Sequence, residues 1–292
     1  MSQLVLGLPD GSLQNSTVDL LDKAGWRVNV SSRNYRPSIN DDEIVCRLLR
    51  PQEMSRYVEA GKLDVGITGL DWVMENGSDV VVIDEFGYAK QKMVKPKWVL
   101  AVPAASPVQT AKDLDGKIVA AELLNVTTKW FKDQGINARV ERSWGATESK
   151  PPDLADAIVD VTETGSSLRA NNLRIVDVIL ESTTQIIMNK TSAKDAWKRR
   201  KIENITRLME GAILAQYRVG LKLNVPPGKM DAVRAVLDGH SLDGATESPL
   251  LRDGWFALEV IVPEVDVRAI IPQLLDAGAR GIVEYPLNKI IL

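Results

Sequence analysis

The chain predicts an α/β protein of two lobes followed by a smaller α+β domain, and three observations lead there. Short apolar runs alternate with helical segments through the first two thirds, as layered α/β folds require. A stretch from about 192 to 217 places Ile202, Ile205, Met209, Ala212 and Ile213 at helical intervals, one long helix leading out of the lobes. Beyond it, Val219, Leu221, Leu223 and Val225 alternate strictly with Gly220, Lys222 and Asn224, the pattern of a half-buried antiparallel strand.

Residues 3–8 form an apolar run ended by Pro9-Asp10-Gly11, after which Leu13, Leu20, Leu21 and Ala24 share a helical face before Gly25. Residues 34–42 read as a polar loop and 43–49 as a strand; Arg50-Pro51 opens a helix, because proline suits a first turn, and Gly61 closes it. Next come a buried strand at 63–68, a helix at 69–75 and an apolar strand at 80–83 of the continuous kind that parallel sheets bury. A second α/β run has strands at 98–103, 117–121 and 138–142 and a helix at 127–134 stopped by Gly135. Residues 157–161 form a strand running into Thr162-Glu163-Thr164-Gly165-Ser166-Ser167, and apolar strands resume at 175–180 and 184–188. The last third reads as strand 219–225, a helix with Met230, Val233 and Leu237 aligned, strand 255–262, a helix with Val267, Ile270, Ile271, Leu274 and Leu275, and strand-like 282–285 and 289–292. That is a small sandwich of ferredoxin-like βαββαβ type.

Composition narrows the function classes. A chain of 292 residues is long enough for two or three cores, and 45% hydrophobic with 26% charged residues is ordinary for a packed soluble protein. The net charge of −3 argues against a general nucleic-acid or membrane-surface binder, so an anionic substrate must find local donors. One cysteine, Cys46, excludes an intrachain disulfide and a multi-cysteine zinc site; it reads as a buried small hydrophobe in a reducing compartment. One histidine, His240, excludes a two-histidine metal site. The first residues carry no signal-peptide pattern and no run approaches the roughly 20 apolar residues of a membrane span, so the cytoplasm is expected. Trp72, Trp130 and Trp255 sit on apolar faces and read as core or interface.

The segment from Asp160 to Leu168 carries the most chemistry: a strand end delivers Asp160 and Glu163, then Thr164, Ser166 and Ser167 around Gly165. Glycine takes backbone angles closed to other residues, and a helix N-terminus offers free amides and a positive dipole end, so this is a candidate phosphate cradle. The two carboxylates beside it suit sugar hydroxyls or a metal-bridged diphosphate. A plain helix cap, with hydroxyls satisfying orphan amides, is an equally good reading of the spacing alone.

The run Ala155-Asp156-Ala157-Ile158-Val159-Asp160 into Thr162-Glu163-Thr164-Gly165-Ser166-Ser167-Leu168 closely resembles the signature of the ATP phosphoribosyltransferases. Leu49-Arg50-Pro51-Gln52-Glu53 and Gly61-Lys62-Leu63-Asp64-Val65-Gly66-Ile67-Thr68-Gly69 resemble that family's first-lobe motifs in the expected order. Residues 221–226, Thr246-Glu247-Ser248-Pro249-Leu250 and Gly278-Ala279-Arg280-Gly281-Ile282 resemble the regulatory domain of its long-form members.

The resemblance implies a two-lobed, periplasmic-binding-protein-like catalytic unit, with lobe I at 1–92 and 182–212 and lobe II at 93–181, and an ACT-like domain at 213–292. It implies the condensation of ATP with phosphoribosyl pyrophosphate (PRPP), Mg2+ carried mainly by the substrate's pyrophosphate, histidine as inhibitor, and dimers that assemble into hexamers. By the same resemblance, Asp160 and Glu163 hold the ribose, Thr164, Gly165, Ser166, Ser167 and Leu168 take the 5′-phosphate, and Arg50, Thr68 and Gly69 face the nucleotide or pyrophosphate. Asn224 and Thr246 are the corresponding histidine contacts. The chain departs from the family's pattern at Asp10, usually basic, at Asp153, usually glycine, at Ser167, usually threonine, and at Leu123-Leu124, where a pair containing an aromatic is more usual. Two rival readings follow: a solute-binding or effector-sensing protein, which two lobes with an anion cradle also describe, and an inactive paralogue, for which Asp10 is the suggestive feature.

Overall fold

Strands and helices alternate from the first residues, as the apolar spacing requires, in a computed structural model that describes residues 2–31, 34–86, 95–240, 242 and 244–291. The chain divides into two units, Met1–Asp19 with Trp26–Thr206, and Leu20–Gly25 with Arg207–Leu292. In chain order the elements are β1 (Leu4–Pro9), α1 (Gln14–Ala24), β2 (Val28–Ser31), β3 (Asn34–Ile39), β4 (Ile44–Leu49), α2 (Pro51–Glu59), β5 (Val65–Gly69), α3 (Leu70–Asn76) and β6 (Val81–Phe86). Then come β7 (Lys97–Pro103), β8 (Ile118–Ala121), α4 (Leu124–Asp133), β9 (Arg139–Arg142), β10 (Ala157–Thr162), α5 (Ser166–Ala170), β11 (Leu173–Glu181), β12 (Thr184–Met188) and α6 (Ala196–Ala215).

The first unit holds two five-stranded sheets, ordered β4-β1-β5-β12-β6 in lobe I and β11-β7-β10-β8-β9 in lobe II. In lobe I, β4, β1 and β5 run parallel. In lobe II, β10, β8 and β9 do so. β12 returns to lobe I after the excursion through lobe II and pairs antiparallel with β5, Thr184 opposite Gly69. The lobe II core gathers Trp98, Leu100, Leu114, Val119, Leu123, Phe131 and Val159, all nearly free of solvent. Cys46 is buried as expected, and burial pushes its thiol up to about 12.

Three expectations need correction. Residues 34–42 were expected as a loop, yet 34–39 form β3, an antiparallel hairpin with β2 in register Val28 to Ile39. Only Pro37 of its six residues is buried, so no apolar alternation marks it. The strand at 80–83 is β6, which is not an interior parallel strand: it is the edge of its sheet, antiparallel to β12 and mostly half-buried. Residues 289–291 form no strand, and Leu292 lies outside the described residues, as does the expected lobe boundary at 92/93.

The second unit contains β13 (Arg218–Val225), α7 (Met230–Gly239), β14 (Thr246–Pro249), β15 (Phe256–Pro263), α8 (Val267–Asp276) and β16 (Arg280–Pro286), in sheet order β14-β15-β13-β16. This is the βαββαβ arrangement that the alternation of Val219, Leu221, Leu223 and Val225 implied. Those four residues are buried in one cluster with Val233, Leu237, Ile270 and Leu274 of the helices.

Candidate active site

In open α/β sheets, ligands bind beyond the carboxyl ends of parallel strands, because backbone amides and loop side chains converge there. Here the ends of five such strands line one cleft of about 310 Å³ within the first unit: Asp10 after β1, Arg50 after β4, Gly69 at the end of β5, Glu122 after β8 and Glu163 after β10. Of the residues expected from sequence to contact substrate, the cleft brings together Arg50, Gly69 and Glu163.

Arg50 caps the N-terminus of α2 ahead of Pro51, in extended conformation, which leaves its side chain 64% exposed at the cleft. Its Nε stands 3.4 Å from Asp10 Oδ2, so Asp10 pairs with the arginine at the cleft. Gln52 Nε2 donates to Glu122 Oε1 at 3.4 Å, from lobe I to lobe II.

Thr68 is fully buried, and its hydroxyl donates to the Pro51 carbonyl at 2.9 Å, anchoring the start of α2, so it is not among the residues lining the cleft. Gly69 has a local reason to be glycine. The Asp71 carboxylate folds back over it, and a Cβ there would fall far inside contact distance of Asp71 Oδ1 and 3.0 Å from its Cγ.

On the lobe II side, Gly165 is the N-cap of α5 with φ of 71°, the left-handed conformation that favours glycine. Its amide donates to Thr162 Oγ1 at 2.8 Å, and Thr164 Oγ1 donates to Ser166 Oγ at 3.1 Å. Thr164, Ser166 and Ser167 are exposed, while Leu168 is buried, so Leu168 can offer a ligand only its backbone. The first amides of α5 point out of the helix without intrahelical acceptors. Residues 164–168 lie past the cleft's own lining.

Asp160 is half-buried on β10 behind that lining. Burial pushes its carboxyl up to about 7, and the neighbouring charges of Glu148 and Glu122 push the same way against the bond it accepts from the Val161 amide at 2.7 Å.

Sequence reasoning missed Asp71, Glu122 and the cleft-facing role of Trp72 and Trp98. Glu122 was findable, since it is the first residue after a strand in the same sense as Glu163. Asp71 is only 8% exposed and accepts the Trp98 indole N–H at 2.7 Å, and burial raises its pKa; no local pattern announces that long-range bond. Trp72 was expected as core or interface, and it also lines the cleft.

In the second unit, Asn224 sits on β13 opposite Ala257 of β15, and Thr246 on β14 opposite Glu259 of β15. Opposed residues share a sheet face, so Asn224 and Thr246 lie on one face, separated by β15.

The family model described as ATP phosphoribosyltransferase matches residues 50–211, and a second, for the C-terminal domain of the same proteins, matches 215–289. The chain is 56% identical over 288 residues to the ATP phosphoribosyltransferase of Prosthecochloris aestuarii, covering 99% of this chain and 97% of that one. It is 55% identical over 289 residues to that of Solibacter usitatus, covering 99% of both. Among solved structures, the ATP phosphoribosyl transferase (HisG:HisZ) complex from Thermotoga maritima has a chain that is 27% identical with a TM-score of 0.61, covering 71% of this chain and 96% of that one. The chain therefore belongs to the ATP phosphoribosyltransferases, the pentosyltransferases that open histidine biosynthesis by joining ATP to phosphoribosyl pyrophosphate, in their long form with a C-terminal domain.

Proposed function

We propose that the cleft between lobes I and II is where ATP and PRPP meet, with the adenine N1 attacking the anomeric carbon as pyrophosphate leaves. The observation that carries this reading is the convergence of five parallel strand ends on one cleft, with the exposed hydroxyls of Thr164, Ser166 and Ser167 around Gly165 at the end of β10. Thr164, Gly165, Ser166, Ser167 and the Leu168 amide receive the 5′-phosphate, Glu163 and Asp160 hold the ribose hydroxyls, and Arg50 with the Gly69 turn faces the nucleotide or pyrophosphate. Little proton transfer is needed in such a displacement, so these groups work by alignment and by stabilising separated charge.

Mg2+ fits this wall. Among the described residues the cleft is lined by four carboxylates, Asp10, Asp71, Glu122 and Glu163, and by one arginine, a poor match for two polyanionic substrates without a cation. Magnesium is commonly held by one or two carboxylates together with substrate phosphates, and when bound it neutralises the departing pyrophosphate.

The C-terminal domain binds histidine, with Asn224 and Thr246 in contact, and feeds inhibition back to the cleft. The protein works in the cytoplasm as a homo-oligomer, from dimer to hexamer. Among the described residues no helix is long and apolar enough to cross a membrane. The test is a spectrophotometric assay with ATP, PRPP, magnesium and pyrophosphatase, run with and without histidine. Turnover suppressed by histidine is the expected result. Folded protein that turns over but ignores histidine removes the regulatory half, and folded protein without turnover removes the catalytic half and makes Asp10 the first residue to revert to a base.

A further inference from the structure

We propose that helix α3 is a brace joining the two lobes, and that Asp71 and Glu75 are positioning residues which set the cleft width for the transfer reaction. The inference rests on the cleft being the site of transfer. Asp71 and Glu75 are four residues apart, so they leave the helix from one face. Both are nearly buried, and both reach into lobe II.

Asp71 Oδ2 accepts from Trp98 Nε1 at 2.7 Å. Trp98 sits on β7 opposite Val161 of β10, so this bond registers lobe I against the strand that delivers Glu163 and the phosphate loop. Glu75 Oε2 accepts from the amides of Asn125 and Val126, at 2.8 and 3.1 Å, in the first turn of α4. That helix begins after Leu123, which has no side chain able to cap it, so its orphan amides take their cap from a carboxylate 50 residues earlier in the other lobe. Arg142 donates to Glu75 Oε1 at 3.1 Å and balances the buried charge. Trp72, between the two carboxylates, packs against the lobe II core. The C-terminal end of α3 is tied to lobe I, where Asn76 Nδ2 donates to the Gln52 carbonyl and to Ser55 Oγ, both at 2.9 Å. A short helix bonded on both sides holds the substrate walls at a fixed separation, and displacement of such walls by an ångström is costly to a two-substrate alignment.

The experiment uses the full chain with nitroxide labels on cysteines placed at the exposed Lys62 and Lys132, one on each lobe; Cys46 is buried and stays unlabelled. Asp71→Asn/Glu75→Gln is compared with the parent by spin–spin distance distribution, by PRPP affinity in calorimetry, and by kcat and KM. A broadened or shifted distance, kcat down at least tenfold and PRPP affinity changed less than threefold is the expected result, since the phosphate loop lies wholly in lobe II. An unchanged distance, or unchanged kcat, in folded protein overturns the proposal. Should the double variant not fold, Glu75→Gln alone and Trp98→Phe, which deletes only the indole donor, carry the same readouts and the same criteria. Failure of the underlying site reading shows separately: Gly165→Val in the braced protein then leaves PRPP affinity untouched, whatever the labels report.

Discussion

The two walls of the cleft are built by opposite strategies. Lobe I presents groups that are already spoken for: Thr68 is bonded to Pro51, Gly69 is covered by Asp71, and Arg50 is paired with Asp10. Lobe II presents exposed hydroxyls around a left-handed glycine, where Thr164 bonds to Ser166 and the Gly165 amide to Thr162. One wall is tied together by its own bonds, and on the proposed reading the other offers its donors to an anion. Damage to the first should therefore appear as lost alignment together with lost stability, and damage to the second as lost phosphate affinity.

The largest expected effect is on the assembled wall. Gly69→Ala forces Asp71 off Trp98 and Trp72, and overpacking of this kind costs about 1–3 kcal/mol of stability, with on the order of 100-fold in kcat if the walls shift by an ångström. Urea unfolding read beside steady-state kinetics checks both; a variant with parental stability and kcat would show that Asp71 has room to move. Gly165→Val comes next. The left-handed conformation costs an L-residue roughly 1–2 kcal/mol, and the new side chain meets Arg169 Nη1 at 2.9 Å. PRPP affinity should fall at least tenfold, about 1.4 kcal/mol, with ATP affinity little changed. Unchanged PRPP affinity in folded protein would remove the cradle from residues 164–168.

Arg50→Ala separates the two strategies from the other side. Its pair with Asp10 is largely exposed, and such pairs contribute roughly 0–1 kcal/mol, so the melting temperature should barely move. A charge-assisted bond to a phosphate oxygen is worth more, about 1.5–3 kcal/mol, and a rise of about tenfold in KM for one substrate is expected. If both KM values stay at the parental level, Arg50 serves only Asp10.

The same contrast explains what could be read in the sequence. The lobe strands, the terminal βαββαβ domain and the Thr162–Leu168 loop were legible because apolar periodicity, a glycine and adjacent hydroxyls are local signals. Strand β3 was not, since four of its six residues are exposed and only Pro37 is buried, so its pairing with β2 leaves no apolar alternation. The direction of β6 was not, because β12, its partner, is about 100 residues away in sequence and an apolar run does not say which way its neighbour runs. Arg50, Gly69 and Glu163 were placed correctly at strand ends. The partner of Thr68 was not legible, because a threonine at the end of a buried strand gives no sign of which carbonyl will take its hydroxyl. Asp71 and Glu75 were not legible at all, because their partners Trp98, Asn125 and Val126 are 27 to 51 residues away.

The last effect is confined to one carboxyl group, and its sign follows from linkage. Burial holds Asp160 at about 7, above the ordinary 3.8, so between those values the folded chain keeps a proton that the unfolded chain has released. Stability from this group is therefore fully present below about pH 4, declines as pH rises toward 7 and levels off above it. Asp160→Asn should flatten that part of the stability profile in urea unfolding at stepped pH. In binding, the same ionisation turns Asp160 from a donor into an acceptor of ribose hydroxyl bonds, so wild-type PRPP affinity should strengthen between pH 6 and 8 more than that of the variant. Parallel profiles for the two proteins would place the Asp160 proton outside both folding and ribose recognition, leaving Glu163 as the sugar's carboxylate on the lobe II wall.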